Sequence, residues 1–343
     1  MENLALTTKK IRTEYEGIKS YVISSEQIAL TDRGLFNTGK NEFPFTLEGL
    51  DQFAGLTEIP KPFFRTLEPD LRSMIFNRRF QTRLREQRIP RDIRINLNKE
   101  AQVIGFDDPK LFRISPVKLM DTLVSSLPKS LSAEKVTVAR VDIGTNLLQI
   151  SCFSPEIVTE PRPKDILNGG IDIVHSISGN AGTQISCYLR RLVCSNGATT
   201  HICNDNKQLR VRRLNNGYFD ESEMLKQIQD RLAEAWSQID EKLAAIKALT
   251  EKKRISLEFL QQERTRFSLN NNMLAAIHQA IDQDEIGPTN TQYDIFNAIS
   301  RVATHHQNLT FRQQRTLSGL AGEFSQQDIH KCDKCGSWLT IPN

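Results

Sequence analysis

A short polar and basic segment, residues 172–199, gathers several chemically reactive side chains. A turn rich in serine and glycine leads into Arg190 and Arg191, and the run Arg-Leu-Val-Cys-Ser-Asn-Gly then places Cys194 close to both guanidinium groups. Nearby positive charge favours the thiolate form of a cysteine, which is the nucleophilic form. The alternative is a structural thiol, because free cysteine is among the most frequently buried residue types. The segment therefore predicts where a functional site lies more firmly than it predicts which reaction takes place there.

Two carboxylates and a histidine lie upstream of Cys194. Asp165, Asp172 and His175 are the residue types that hold a divalent metal ion for phosphodiester cleavage. On a strand, however, Asp172 and His175 would point to opposite faces because the side-chain period is two. No H-x-E or paired D-x-D signature among these residues supports a metal site. Structural roles in turns and strands are the alternative interpretation of these three residues.

The most basic part of the chain is residues 61–94. It carries 10 basic and 4 acidic side chains, a local excess of +6 against a net charge of +4 for the whole chain. Nine of the ten are arginines, whose planar guanidinium pairs with phosphate oxygens and stacks on bases. The interleaved phenylalanines either stack on unpaired bases or form a core beneath a solvated arginine face. With a second cluster after Cys194, the predicted nucleic-acid-binding residues are Arg78, Arg79, Arg83, Arg85, Arg88, Arg190, Arg191, Lys207, Arg210, Arg212 and Arg213.

The C-terminal tail contains a C-x-x-C-G knuckle formed by Cys332 and Cys335. Such a turn presents two thiolates to one tetrahedral zinc ion, and His330 lies two residues upstream of it. A complete site needs further ligands, which either distant histidines and cysteines or a second chain would supply. The sequence thus predicts zinc bound by Cys332, Cys335 and His330, with an unmetallated or redox-active cysteine pair as the alternative.

The Cys194 segment resembles a phage- and plasmid-associated family known as domain of unknown function nine-thirty-two. Residues 191–197 match the family's Arg-Val-Val-Cys-x-Asn motif, and Gly179 lies 15 residues before Cys194 in the position of an upstream polar turn. His175 stands where that turn usually has asparagine. The resemblance covers residues 40–265. It implies DNA metabolism or conflict between host and phage, and it names no reaction.

The helices and strands predicted to position these residues indicate an α+β protein. Thr46 is placed as the N-cap of a helix with a glutamate two residues later, and residues 136–141 and 147–153 read as two strands joined by a turn. From residue 221 to 266, apolar side chains recur every three or four positions. That stripe belongs either to a helix lying on the domain or to a coiled-coil seam.

We expect an α+β fold with a mixed sheet and interleaved helices, followed by a helical C-terminal third and a small C-x-x-C tail. The predicted organisation is a core domain over residues 1–219, a helical region over residues 220–328, and the tail over residues 329–343. A homo-oligomer would follow if the long helical region forms a seam.

Composition is that of a soluble globular protein, with 25% charged and 38% hydrophobic residues. The absence of an apolar run near 18 residues and of a signal peptide predicts no membrane partner, and six scattered cysteines favour a reducing cytoplasm. We expect a cytoplasmic nucleic-acid-binding protein of phage, plasmid or defence biology that favours single-stranded DNA, with DNA preferred over RNA. The alternatives are a metal-dependent nuclease and a protein-interaction or inhibitor protein that acts through the long helix.

Overall fold

The computed structural model confirms the α+β class, with helices concentrated in the C-terminal part. The structure describes residues 2–110, 114–143, 147–177, 183–191, 199–201, 221–252, 258–262, 264–265, 269–282, 291–305, 309, 311–331 and 338–342. The strands are β1 Glu2–Asn3, β2 Lys19–Ser24, β3 Ala29–Leu30, β4 Phe36–Asn37, β5 Glu42–Phe43, β6 Asp92–Leu97, β7 Val103–Asp107, β8 Thr137–Ile143, β9 Leu147–Arg162, β10 Asp165–Ser176, β11 Gln184–Arg191, β12 Thr199–His201, β13 Gln327–Lys331 and β14 Trp338–Pro342. The helices are α1 Leu4–Tyr15, α2 Leu47–Leu56, α3 Lys61–Thr66, α4 Pro69–Arg85, α5 Pro116–Ser125, α6 Glu221–Ser237, α7 Ile239–Ala248, α8 Glu258–Gln262, α9 Asn271–Asp282, α10 Gln292–His305 and α11 Phe311–Gln326.

Residues 19–110 form an N-terminal module with a hydrophobic core of its own. Its main sheet has the order β2-β6-β7, all antiparallel, and helices α2, α3 and α4 pack beside it. Phenylalanine rings fill the centre, where Phe53 stacks on Phe76 at 3.8 Å and on Phe106 at 4.9 Å between ring centroids. The predicted N-cap of α2 is confirmed, since Thr46 Oγ1 accepts a hydrogen bond from Gly49 N–H.

The larger sheet has the antiparallel order β1-β8-β9-β10-β11-β12. Its β8–β9 pair confirms the predicted strands on either side of residues 144–146. One face, here called the core face, packs against helices α6 and α7. Gly169 allows this approach, because a Cβ there would lie 2.1 Å from Ile239 Cγ2 of α7.

The apolar stripe of α6 and α7 is buried inside the chain. Ile228, Leu232, Ile239 and Ile246 are fully buried in the same hydrophobic core as the large sheet. This arrangement is that of helices lying on the domain rather than of an exposed seam. The core also extends across the boundary predicted between residues 219 and 220, because sheet and helices cover each other's apolar faces.

No helix among the described residues is both long and apolar enough to cross a membrane.

Candidate nucleic-acid interface

An exposed arginine patch lies on α4 and on the turn that follows it. Helix α4 buries Ser73, Phe76 and Phe80 against the core of the N-terminal module. Because side chains recur every 3.6 residues, Arg78 and Arg85 fall on the opposite, solvent-facing side. We define the arginine patch as the five predicted residues together with their neighbour Arg91: Arg78, Arg79, Arg83, Arg85, Arg88 and Arg91.

The end of α4 folds the chain back so that Arg88 joins the patch. Gln87 adopts a left-handed conformation with φ of 57°. Arg88 N–H then donates to Arg83 O at 3.0 Å, and Gln87 N–H donates to Leu84 O at 3.1 Å. These two bonds form a Schellman motif, which satisfies the last carbonyls of the helix. The turn therefore holds two arginines of the patch at one helix end.

The pKa of Glu58 reflects the positive charge of this region. Its carboxylate pairs with Arg83 at 2.5 Å. The hydrogen bond from Arg83 and the charge of the same guanidinium hold the pKa of Glu58 below its usual value, and the nearby charges of Arg88 and Arg79 act in the same direction. Three arginines thus surround one carboxylate, which leaves the patch with a net positive charge.

Among the described residues, most arginines of the patch have no carboxylate partner. Arg88 pairs with Glu86 at 3.2 Å. Arg78, Arg79, Arg85 and Arg91 are exposed, and none of them forms an ion pair within the described ranges. Exposed guanidinium groups of this kind are able to take phosphate oxygens as bidentate partners.

The phenylalanines of this stretch serve mainly as core. Phe64, Phe76 and Phe80 are fully buried, whereas the ring of Phe63 is 51% exposed. Tyr188 of the large sheet is also buried. In the observed arrangement, the exposed ring of Phe63 is able to stack on a base as predicted, whereas the four buried rings are not.

Arg190 and Arg191 point to opposite faces of the large sheet. The guanidinium of Arg190 lies 4.6 Å from the centre of the Phe153 ring, whose strand position faces away from α6 and α7. Arg191 belongs to the core face and forms a bidentate ion pair with Asp165, with both N···O distances at 2.6 Å. The two adjacent arginines therefore have separate roles, and that of Arg191 is structural.

The Asp165–Arg191 pair belongs to a buried network that joins strands β10 and β11 to helix α10. Tyr293 O–H donates to Asp165 Oδ2 at 2.6 Å. Burial raises the pKa of the Tyr293 phenol above its usual value, with the carboxylate of Asp165 acting in the same direction and Arg191 opposing it. The guanidinium of Arg162 stacks at 4.8 Å on the Tyr293 ring, and its Nη1 lies 2.8 Å from Asp294 Oδ1 without hydrogen-bond alignment.

Asp172 lies on the face of the large sheet opposite to α6 and α7, here called the polar face. Its Oδ1 accepts hydrogen bonds from Ser151 Oγ at 2.6 Å and from Gln149 Nε2 at 3.3 Å. Ser186 stands opposite Asp172 on β11 and is also buried. A row of polar side chains thus crosses strands β9, β10 and β11, and its β9 members Gln149 and Ser151 hold the Asp172 carboxylate in a fixed orientation.

His175 is a buried neutral imidazole. Its Nε2 lies 2.9 Å from Ile114 O, and its Nδ1 lies 2.9 Å from Thr183 Oγ1. Because a carbonyl oxygen only accepts, the proton is assigned to Nε2, and Nδ1 accepts from the threonine hydroxyl. Burial lowers the pKa of His175 to about 4, against a smaller opposing effect of the bond to Ile114. Both ring nitrogens are therefore occupied.

The three candidate catalytic groups do not come together. Asp165 and His175 have separate partners on the core face, while Asp172 lies on the polar face. Asp165 and Asp172 are seven positions apart on one strand, which corresponds to about 20 Å. The described residues contain no group of three or more histidine, cysteine, aspartate or glutamate side chains able to hold a metal ion.

Several predicted residues lie outside the described residues. They include the candidate nucleophile and the second basic cluster, namely Cys194, Lys207, Arg210, Arg212 and Arg213. The predicted zinc ligands Cys332 and Cys335 also lie there, and His330 is described only as a backbone position in β13. Cys152 and Cys187 are free and buried, and burial raises the pKa of the Cys152 thiol to about 12, which keeps it protonated.

Sequence reasoning missed a cleft in the N-terminal module. The cleft lies beside the end of β7, where Asp107 is the last residue of a buried strand and Asp108 follows it. Two consecutive aspartates directly after an apolar run are a signal that could have marked this place. Gln52, on the facing helix α2, gives no comparable signal because isolated glutamines are common on helix surfaces.

Comparison with known proteins identifies one family. Residues 158–326 match the family described as Domain of unknown function (DUF932). The match begins later in the chain than the range 40–265 suggested by the sequence resemblance, and it contains the whole Asp165–Arg191–Tyr293 network. No curated protein and no solved structure matches the chain significantly. The arginine patch lies outside the matched residues.

Proposed function

Since the chain belongs to the family described as Domain of unknown function (DUF932), whose description assigns no activity, we propose a function from the chain's own residues. We propose that it is a nucleic-acid-binding protein that favours single-stranded DNA and that the arginine patch contacts the phosphates. A role in phage, plasmid or defence biology is part of the same hypothesis. The proposal concerns this chain, because the patch lies outside the residues that match the family.

The observation that supports this proposal is a set of exposed arginines that have no carboxylate partner in the described part of the chain. Arg78, Arg79, Arg85 and Arg91 have no ion pair within the described residues, and Arg79 lies near Glu58 together with Arg83 and Arg88. An excess of unpaired guanidinium groups on one surface attracts phosphates and releases the counterions condensed on a nucleic acid. The patch therefore suits a polyanion better than a protein surface of mixed charge.

Apolar side chains beside the patch favour a single strand over a duplex. Met74 is 61% exposed and stands one helical turn before Arg78, and Leu71 is 40% exposed on the same side of α4. The bases of a single strand have free apolar faces that contact such side chains, whereas a duplex buries those faces in its own stack. The exposed apolar side chains in the first half of α4, next to the arginines in its second half, thus support a preference for unpaired bases.

Neither alternative function gains support from the described residues. The candidate ligands of a metal-dependent nuclease, Asp165, Asp172 and His175, are separated on two faces of the sheet. The apolar stripe that an interaction protein would use is buried under the chain's own core.

Fluorescence anisotropy with labelled oligonucleotides tests the proposal. We expect the wild-type protein to bind a single strand more tightly than a duplex of the same length, and to lose affinity steeply between about 50 and 300 mM salt. Magnesium or manganese is included, and the oligonucleotides are run on a gel afterwards. Intact DNA supports a binding role, cut DNA supports the nuclease alternative, and no binding at low salt contradicts both.

A further inference from the structure

A cleft of about 320 Å³ opens in the N-terminal module next to the arginine patch. This volume falls within the usual range of small-molecule pockets, about 300–1,000 Å³. Its walls are mainly apolar and include Leu56, Ile93 and Phe106. Polar groups stand at two places on its lining, with Gln52 on α2 and with Asp107 and Asp108 at the end of β7.

The polar groups of the cleft are held in position before any ligand binds. Gln52 Oε1 accepts a hydrogen bond from Phe106 N–H at 2.9 Å, and this bond assigns Nε2 to the other side of the amide as a donor. Asp107 is held by Arg94 at 3.1 Å and by Asn96 at 3.0 Å, while Asp108 Oδ1 accepts from Lys110 N–H at 2.9 Å. The cleft therefore offers a fixed amide donor and a fixed carboxylate.

Two chain segments that line the cleft lead directly, along the sequence, to residues of the arginine patch. Leu56 is two residues before Glu58, the carboxylate that the patch surrounds. Pro90 forms another part of the wall and lies between Arg88 and Arg91 in the chain. Ser25 Oγ donates to Pro90 O at 2.6 Å and fixes this segment. A strand whose phosphates contact the patch would thus have a base within reach of the cleft.

We infer that this cleft is a nucleobase pocket that takes a guanine from the single strand held by the arginine patch. The inference rests on the proposed function and deepens it. The Watson–Crick edge of guanine carries two adjacent donors, N1–H and N2–H₂, beside the O6 acceptor. The carboxylate of Asp108 suits the two donors, the Gln52 Nε2 amide suits O6, and the apolar walls suit the faces of the base. Thymine places an acceptor where guanine has its second donor, and adenine and cytosine have a ring acceptor beside the amino group.

The binding test compares an oligothymidylate with three variants of it, in which one central thymine is replaced by guanine, by inosine or by adenine. We expect the guanine oligonucleotide to bind about tenfold more tightly than the all-thymine strand, and inosine, which lacks the N2 amino group, to lose much of that gain. Gln52→Glu keeps an oxygen to accept from Phe106 N–H and replaces the donor by an acceptor. This variant should lose the guanine preference while it keeps its affinity for oligothymidylate.

A second pair of variants blocks the cleft sterically. A Cβ at Gly55 would meet no atom within 4 Å, and Gly55 lines the cleft within α2. Gly55→Leu should fill the opening and abolish the guanine preference, while Gly55→Ala, its control, should retain most of it. Circular dichroism and thermal melting of both variants establish that the fold is intact.

Two outcomes separate this inference from the proposed function. If oligothymidylate binds through the patch but guanine brings no gain, the pocket is refuted and the proposed function stands. If no oligonucleotide binds, saturation-transfer NMR with guanosine monophosphate tests the pocket alone. Saturation transfer from the protein to the nucleotide that is lost in Gly55→Leu would support the pocket. The absence of transfer from the wild-type protein to the nucleotide would overturn it.

Discussion

Replacement of Asp165 by alanine is expected to lower the free energy of unfolding by about 3–5 kcal/mol. The carboxylate is almost fully buried, and it accepts two hydrogen bonds from Arg191 and one from Tyr293. Its removal would leave the Arg191 guanidinium, which is 11% exposed, as an uncompensated charge in the core. The cost comes from that stranded charge more than from the lost attraction.

Asp142→Ala is the matched control for this prediction. Asp142 also pairs with an arginine in the same sheet, Arg140, but both side chains are about half exposed. Water screens such a pair, so its loss should cost about 0–1 kcal/mol. Urea unfolding of both variants at neutral pH measures the difference. Equal losses in the two variants would show that the Asp165 network does not hold β10 and β11 to α10 as described.

Acidification from about pH 6.5 to pH 4 is expected to destabilise the protein by about 3 kcal/mol through His175 alone. Burial lowers the folded-state pKa of this histidine to about 4 from an ordinary value of 6.5. Between these two values the unfolded chain binds a proton at this site and the folded chain does not. The stabilising effect of the neutral imidazole is therefore complete above pH 6.5 and is lost as the pH falls through this window.

His175→Asn removes the titrating group and should flatten this part of the curve, even if it lowers stability at neutral pH. The measurement is the free energy of unfolding at several pH values, compared as slopes between pH 6.5 and 4. A His175→Asn slope equal to that of the wild type would contradict the buried neutral assignment.

The sequence predicted local structure well where one dominant signal was present. The Thr46 cap, the β8–β9 pair and the apolar stripe from residue 221 follow from spacing and capping chemistry, and the structure contains each of them. Secondary structure of this kind depends on residues close in the chain. Its prediction therefore needs no knowledge of how distant segments meet.

The candidate site was harder to predict because its chemistry depends on distant partners. Arg190 and Arg191 look equivalent in sequence, yet strand alternation sends one to the polar face and pairs the other with Asp165, 26 positions away. His175 looks like a ligand or a base, but its partners Ile114 and Thr183 occupy both nitrogens. No local pattern encodes either result.

The cleft escaped prediction for the same reason. Gln52 and Asp108 are separated by more than fifty positions, and they share a cavity only because α2 packs against β7. Gly49 makes that packing close, since a Cβ there would lie 2.1 Å from Val103 O. A glycine inside a helix was visible in the sequence, but the surface it approaches was not.

The most direct test of nucleic-acid binding compares two triple variants that remove the same charge. Arg78, Arg79 and Arg85 are changed to alanine in one protein, and the exposed Lys9, Lys226 and Lys247 of α1, α6 and α7 are changed to alanine in the other. Anisotropy with a single-stranded oligonucleotide across a salt series gives the slope of log affinity against log salt. We expect the arginine variant to bind more weakly and its slope to become shallower by about 2, while the lysine variant keeps a slope near that of the wild type. Equal effects of the two variants, or none, would contradict the assignment of the arginine patch as the phosphate interface.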